Sequence, residues 1–133
     1  MPGRALGVAT SQSCGETIGF PYVATTVTQA VFIATIPCIV TGVSYRIRVA
    51  STSGTATFYK APSGTAAASG TAITAALDLG STPTADTTYT ATLIPGNNNV
   101  NVNLNAGDSI AVVFAGTMTS GVGLLQIFIE PQT

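Results

Sequence analysis

The chain has 133 residues, of which only nine are charged (four Lys and Arg, five Asp and Glu), and it contains no His. One domain's length of chain that is 46% hydrophobic can bury a core without a metal or a disulfide. A net charge of −1 with no Lys/Arg cluster excludes a phosphate-binding surface, and with it a nucleic-acid partner.

An average soluble domain carries about 25% charged residues, against 7% here, so the polar surface must come from Thr, Ser, Asn and Gly. Thr is the commonest residue, and with Val and Ile it biases the chain towards the pleated sheet. A free monomer so poor in charge is a solubility risk. Two readings follow: a hydroxyl-rich monomer, or a surface covered by sister subunits or a larger assembly, and the second is favoured.

In chain order, residues 1–17 are small, polar and turn-rich and read as an N-terminal arm; residues 18–133 read as one β-sandwich domain. A strand is expected over Thr26–Thr35, ended by Pro37, which cannot donate to a ladder. Cys38–Ala50 is the longest strand candidate, with a possible bend at Gly42. Val43, Tyr45, Ile47 and Val49 share one face there, and Ser44, Arg46 and Arg48 the other. Further strands are expected at Thr55–Ala61, Ala72–Leu79, Thr87–Ile94, Val100–Leu104, Ser109–Ala115 and Val122–Ile129. Turn signals separate them: Pro62-Ser63-Gly64, Pro95-Gly96-Asn97-Asn98 and Asn105-Ala106-Gly107-Asp108. About eight short strands without a convincing amphipathic helix predict an all-β, two-sheet antiparallel sandwich.

Two segments, Ala30–Ala34 and Leu124–Ile129, are apolar on both faces. Such a strand needs cover on both sides, by its own second sheet and by something further. A homo-oligomer is the expected source of that cover, with the arm or a loop as the alternative.

No 18-residue apolar run exists for a membrane helix: the most apolar span, Ala30–Val43, is broken by Thr35, Pro37, Thr41 and Gly42. The protein is therefore expected to be soluble, with no membrane partner. Cys14 and Cys38 stand 24 residues apart, and the absence of His removes the usual Cys/His zinc and catalytic pairings. They are read as free thiols, with a Cys14–Cys38 disulfide as the alternative.

Catalysis finds no support. The carboxylates Glu16, Asp78, Asp86, Asp108 and Glu130 are isolated in sequence, and no Ser lies in a nucleophile elbow. Asp108 is explained by its turn. Neither an enzyme, a metal nor a cofactor is expected. Arg46 and Arg48, at i and i+2, project from one strand face. They read either as a solvated face or as a contact to an acidic partner, which arginine can bind in a bidentate manner.

From Val31 to Ile129 the order of segments resembles small phage virion proteins. The resemblance runs through Pro37-Cys38, Gly42-Val43-Ser44, Lys60-Ala61-Pro62-Ser63-Gly64-Thr65-Ala66 and Ser69-Gly70-Thr71-Ala72. It continues through Leu77-Asp78-Leu79, Asn105-Ala106-Gly107-Asp108 and Phe114-Ala115-Gly116-Thr117. It implies a jelly-roll-like capsid decoration (cement) protein, made in the host cytoplasm and located on the capsid surface of the virion. The implied partners are the major capsid protein and its own copies, as a dimer or trimer. The alternatives are a tail- or fibre-associated protein and a surface carbohydrate- or receptor-binding sandwich; the last would show exposed Tyr residues around a groove.

Overall fold

The computed structural model describes residues 16–132. Ten strands form in chain order: β1 Glu16–Val23, β2 Gln29–Ile33, β3 Cys38–Val49, β4 Thr55–Ala61, β5 Thr71–Ala72, β6 Leu77–Asp78, β7 Thr88–Thr90, β8 Asn103–Leu104, β9 Ser109–Ala115 and β10 Val122–Pro131. Two short 3-10 turns, Ala67–Ser69 and Asn97–Asn99, interrupt them.

The strands make two five-stranded antiparallel sheets. The first has the order β1-β10-β3-β7 with β8 also on β3; the second has β2-β9-β4-β5 with β6 also on β4. Setting aside β6 and β8, the chain pairs its first strand with its last (β1 with β10), then β2 with β9, β3 with β7 and β4 with β5. It is thus one long antiparallel double strand wrapped round a common core, which is the jelly roll.

Inward residues of both sheets meet in one core that includes Tyr22, Val40, Val43, Ile47, Phe58, Leu104, Ile110, Val112, Leu125 and Ile127. On β10, Leu125, Ile127 and Ile129 alternate inward, as period two requires. β4 and β9 match the sequence reading residue for residue, and β3 lacks only Ala50. The bend anticipated at Gly42 is a β-bulge: Gly42 pairs with Phe128 and Val40 with Ile129, so Thr41 is the extra residue, and its hydroxyl donates to the Phe128 carbonyl at 3.3 Å.

Three expectations are corrected. A strand, β1, runs over Glu16–Val23, overlapping the expected arm at Glu16 and Thr17. It is an edge strand, which is why Pro21 is tolerated within it. The single strand expected at Ala72–Leu79 is two short pieces on β4: between them the Thr74 backbone bridges to Leu93, while the Ile73 N–H donates to the Phe58 carbonyl at 2.9 Å and the Thr74 hydroxyl accepts from the Phe58 N–H at 3.3 Å. The strand expected from Val100 starts only at Asn103. Asn98 and Asn99 adopt positive φ, and Lys60 Nζ fixes the following backbone by donating to the Val100 and Asn103 carbonyls.

Candidate interaction surface

The loops gather at the two ends of the sandwich, as alternating crossings between sheets require. At one end the β3–β4 turn is locked from within. Buried Ser51 donates its hydroxyl to the Leu79 carbonyl at 2.9 Å and accepts from the Gly54 N–H at 2.8 Å. The Ser53 N–H donates to the Thr117 carbonyl, tying this turn to the β9–β10 loop. Between that loop and the β1–β2 turn lies a groove lined by Thr26, Val27, Thr28, Phe114, Met118 and Thr119, with no charged side chain on its walls. At the other end Asp108 is buried in the turn assigned to it. Its Oδ2 accepts from the Asn105 N–H at 2.9 Å, and Gly107 takes φ +94°.

The outer faces of the two sheets differ. In the second, β2 and β9 contain no charged residue, and the single one in β4, Lys60, is held by backbone carbonyls. Ile33, on edge strand β2, is 64% exposed. The first sheet has a graded outer face that its register defines. One row runs Thr88–Arg46–Leu124–Pro21, the next Thr90–Ser44–Gln126–Gly19, and the third Gly42–Phe128–Thr17. Leu124 lies over Gly19 and Phe128 over Gly42, where an added Cβ would come within 3.6 and 3.2 Å of them. The apolar outer side chains of β10 are therefore only half-buried, within the chain's own covering.

Arg46 and Arg48 are both exposed on β3 at one end of this face. They border a shallow groove with Asp86, Val122, Gly123 and Leu124. Asp86, held by its N–H to the Ile47 carbonyl at 2.7 Å, puts one carboxylate beside two guanidinium groups. At the opposite end Glu130 is exposed and pairs in register with Ile39. Sequence reasoning found the arginines by their spacing. It missed Glu130 at the other end of the face, because the 84 positions that separate Arg46 from Glu130 hide that β3 and β10 are neighbours.

The remaining polar residues are structural. Cys38 is a buried thiol whose Sγ donates to the Ile36 carbonyl at 3.0 Å, and burial, then nearby Glu16, pushes its pKa up. Cys14, and with it the alternative of a bridge to Cys38, lies outside the described residues. Among the described residues no group of three or more His, Cys, Asp and Glu converges as metal ligands would. None of the four Tyr is exposed: Tyr22 is in the core, Tyr45 and Tyr89 stack with centroids 5.5 Å apart, and Tyr59 is half-buried on β4. No helix among the described residues is long and apolar enough to cross a membrane.

No protein-family model matches the chain, and no curated protein matches it. Among solved structures, it is similar to a chain in the structure of the infectious bursal disease virus Gx strain. That likeness has 18% identity and a TM-score of 0.41, covering 87% of this chain and 32% of the other. A chain in the structure of the Gt strain of the same virus is similar at 18% identity and a TM-score of 0.37, covering 86% and 32%. The protein thus spans about a third of the length of the chains it matches.

Proposed function

We propose that this protein is a structural component of a virion, and specifically a decoration (cement) protein on the outer surface of a phage capsid. There it would bind the major capsid protein and its own copies. The observation that carries the reading is a jelly roll whose sheet faces bear almost no charge and leave apolar side chains only half covered. Such faces suit permanent burial in an assembly better than life as a free monomer. The jelly roll also serves lectin-like and enzymatic domains, so the fold alone does not select among functions.

The proposed action is mechanical rather than catalytic. A rigid sandwich buried at junctions between shell subunits contributes a modest free energy per copy, multiplied over the many copies of a shell. The test is copy number, by quantitative mass spectrometry of sedimentable particles from cells that make the protein. A stoichiometry comparable to that of the major shell protein is expected. A few copies per particle would move the protein to a tail or fibre, and absence from particles would overturn the virion reading.

The second reading, a carbohydrate-binding module, would use the hydroxyl-rich groove beside Thr26, Thr28 and Thr119. None of the four Tyr lines that groove, so it lacks the exposed Tyr residues that reading calls for.

A further inference from the structure

We propose that the outer face of the β1-β10-β3-β7 sheet is the site of a two-fold homodimer, in which Arg46 and Arg48 of each copy meet Glu130 of the other. The inference deepens the assembly reading by naming the surface through which copies associate, but its test needs only the purified protein.

The argument starts from where the charges lie. Among the described outward side chains of this sheet, the two arginines stand at one end, and Glu130 stands six residues along β10 from Leu124, the partner of Arg46. At about 3.3 Å per residue the two ends are about 20 Å apart. Asp86 on the rim offsets one guanidinium and leaves an excess of one positive charge. The face is therefore polarised along its strands.

Two such faces can pack with their strands running the same way or opposed. The parallel arrangement sets arginine against arginine and glutamate against glutamate. The opposed one, with its two-fold axis in the plane of the interface and perpendicular to the strands, brings each positive end over a negative one. Charge complementarity selects the second.

The same axis resolves the apolar side chains. With the row Thr90–Ser44–Gln126–Gly19 on the axis, the row holding Leu124 faces the partner row holding Phe128, twice over. Polar Gln126 meets its own copy, as an isologous interface requires. Gly19 and Gly42 keep the face low beneath Leu124 and Phe128, so a second sheet can approach to the usual spacing of about 10 Å.

The area is adequate. The four strands β1, β10, β3 and β7, of 8, 10, 12 and 3 residues, offer roughly 500 Å² per copy, or roughly 1,000 Å² in all, at about 3.3 Å per residue and about 4.8 Å between strands. That is close to the roughly 1,000 Å² a biological interface must clear, and fits a weak, reversible dimer. The second sheet lacks this polarity: β2 and β9 carry no charge, Lys60 on β4 is held by backbone carbonyls, and Asp78 on β6 has no opposite charge at the other end of the face.

Sedimentation velocity and native mass spectrometry of the full chain test the proposal. The expected species has twice the 13.3 kDa chain mass and dissociates as salt is raised. Arg46→Glu with Arg48→Glu should weaken association about a hundredfold, by putting like charges together. Adding Glu130→Arg to that pair should restore the dimer. Gln126→Arg, which sets two like charges on the axis, should break it independently. Unchanged thermal melting of the monomeric variants confirms that the fold is intact. A monomer at every concentration, an oligomer indifferent to the arginine reversal, a trimer, or failure of the triple variant to rescue would each overturn the interface. Copy number in particles is a separate measurement, so either proposal can fail while the other stands.

Discussion

Tyr22 shows how far the core outranks its polar contents. It is 1% exposed, packs on Phe114 with ring centroids 5.9 Å apart, and its hydroxyl has no hydrogen-bond partner. Burial, followed by the nearby Tyr45 phenol, pushes its pKa from 10.0 up to about 12. The unfolded chain therefore gives up this proton first. The contribution to stability is whole below pH 10 and is lost as pH rises from 10 towards 12, at about 1.4 kcal/mol per pH unit. Removing an unpartnered buried hydroxyl relieves a desolvation penalty. Tyr22→Phe is expected to leave stability at pH 7 unchanged or raise it by about 1 kcal/mol, and to flatten the alkaline loss. Urea unfolding at pH 7 and above pH 10 checks both; a clear destabilisation at pH 7 would mean the hydroxyl has a partner after all. Gly123 belongs to the same locus: a Cβ there would come within 2.5 Å of the Arg46 carbonyl oxygen and 2.7 Å of the Tyr22 hydroxyl. No larger residue fits without moving β10 away from β3.

At the scale of elements, the backbone just after the Asn97–Asn99 turn is pinned by one long side chain from another sheet. The N–H groups of that 3-10 turn and of the residues after it make local bonds: Val100 N–H to the Asn97 carbonyl, Asn101 N–H to Pro95 and Val102 N–H to Asn99, while the Val102 carbonyl accepts from the Val40 N–H of β3 at 2.9 Å. Lys60 reaches across from β4 to bind the Val100 and Asn103 carbonyls at 2.6 and 3.1 Å. Lys60→Met keeps the apolar stem and removes those bonds, and should cost about 1–2 kcal/mol. The loss should be local, seen as faster amide exchange at Val100 to Val102 while β4 and β9 keep their protection. Equal loss of protection everywhere would count against a local role. This segment also shows why alternation misled the sequence reading. Val102 and Leu104 are buried as a strand would bury them, but Asn98 and Asn99 turn the backbone first.

For the whole molecule, the wrapping of the chain makes its first described strand depend on its last. β1 pairs with β10 along all eight of its residues, from Glu16 opposite Ile129 to Val23 opposite Val122. It also closes the core with Tyr22 and covers it with Ile18 and Phe20. Removal of residues 1–23 should therefore abolish cooperative unfolding, whereas removal of residues 1–15 should leave it in place. Thermal melts of the two truncations distinguish a strand integral to the fold from a dispensable arm. The pairing of distant segments also predicts slow folding, on the order of milliseconds to seconds.

The sequence by itself determined the class of the fold, the placing of β3, β4 and β9, the turn at Asn105–Asp108 and the exposure of Arg46 and Arg48. Each rests on local physics: period-two alternation, turn residues that supply the needed backbone angles, and charge that stays in water. It also marked Leu124–Ile129 as apolar on both sides, and the outer Leu124 and Phe128 are indeed only half-buried. Only the tertiary structure decided that β1 exists as an edge strand, that residues 72–79 split into two short strands on β4, and that Glu130 stands at the opposite end of one face from the arginines. Those depend on pairings between segments tens of residues apart, and strand register across such distances leaves no trace in local composition or spacing.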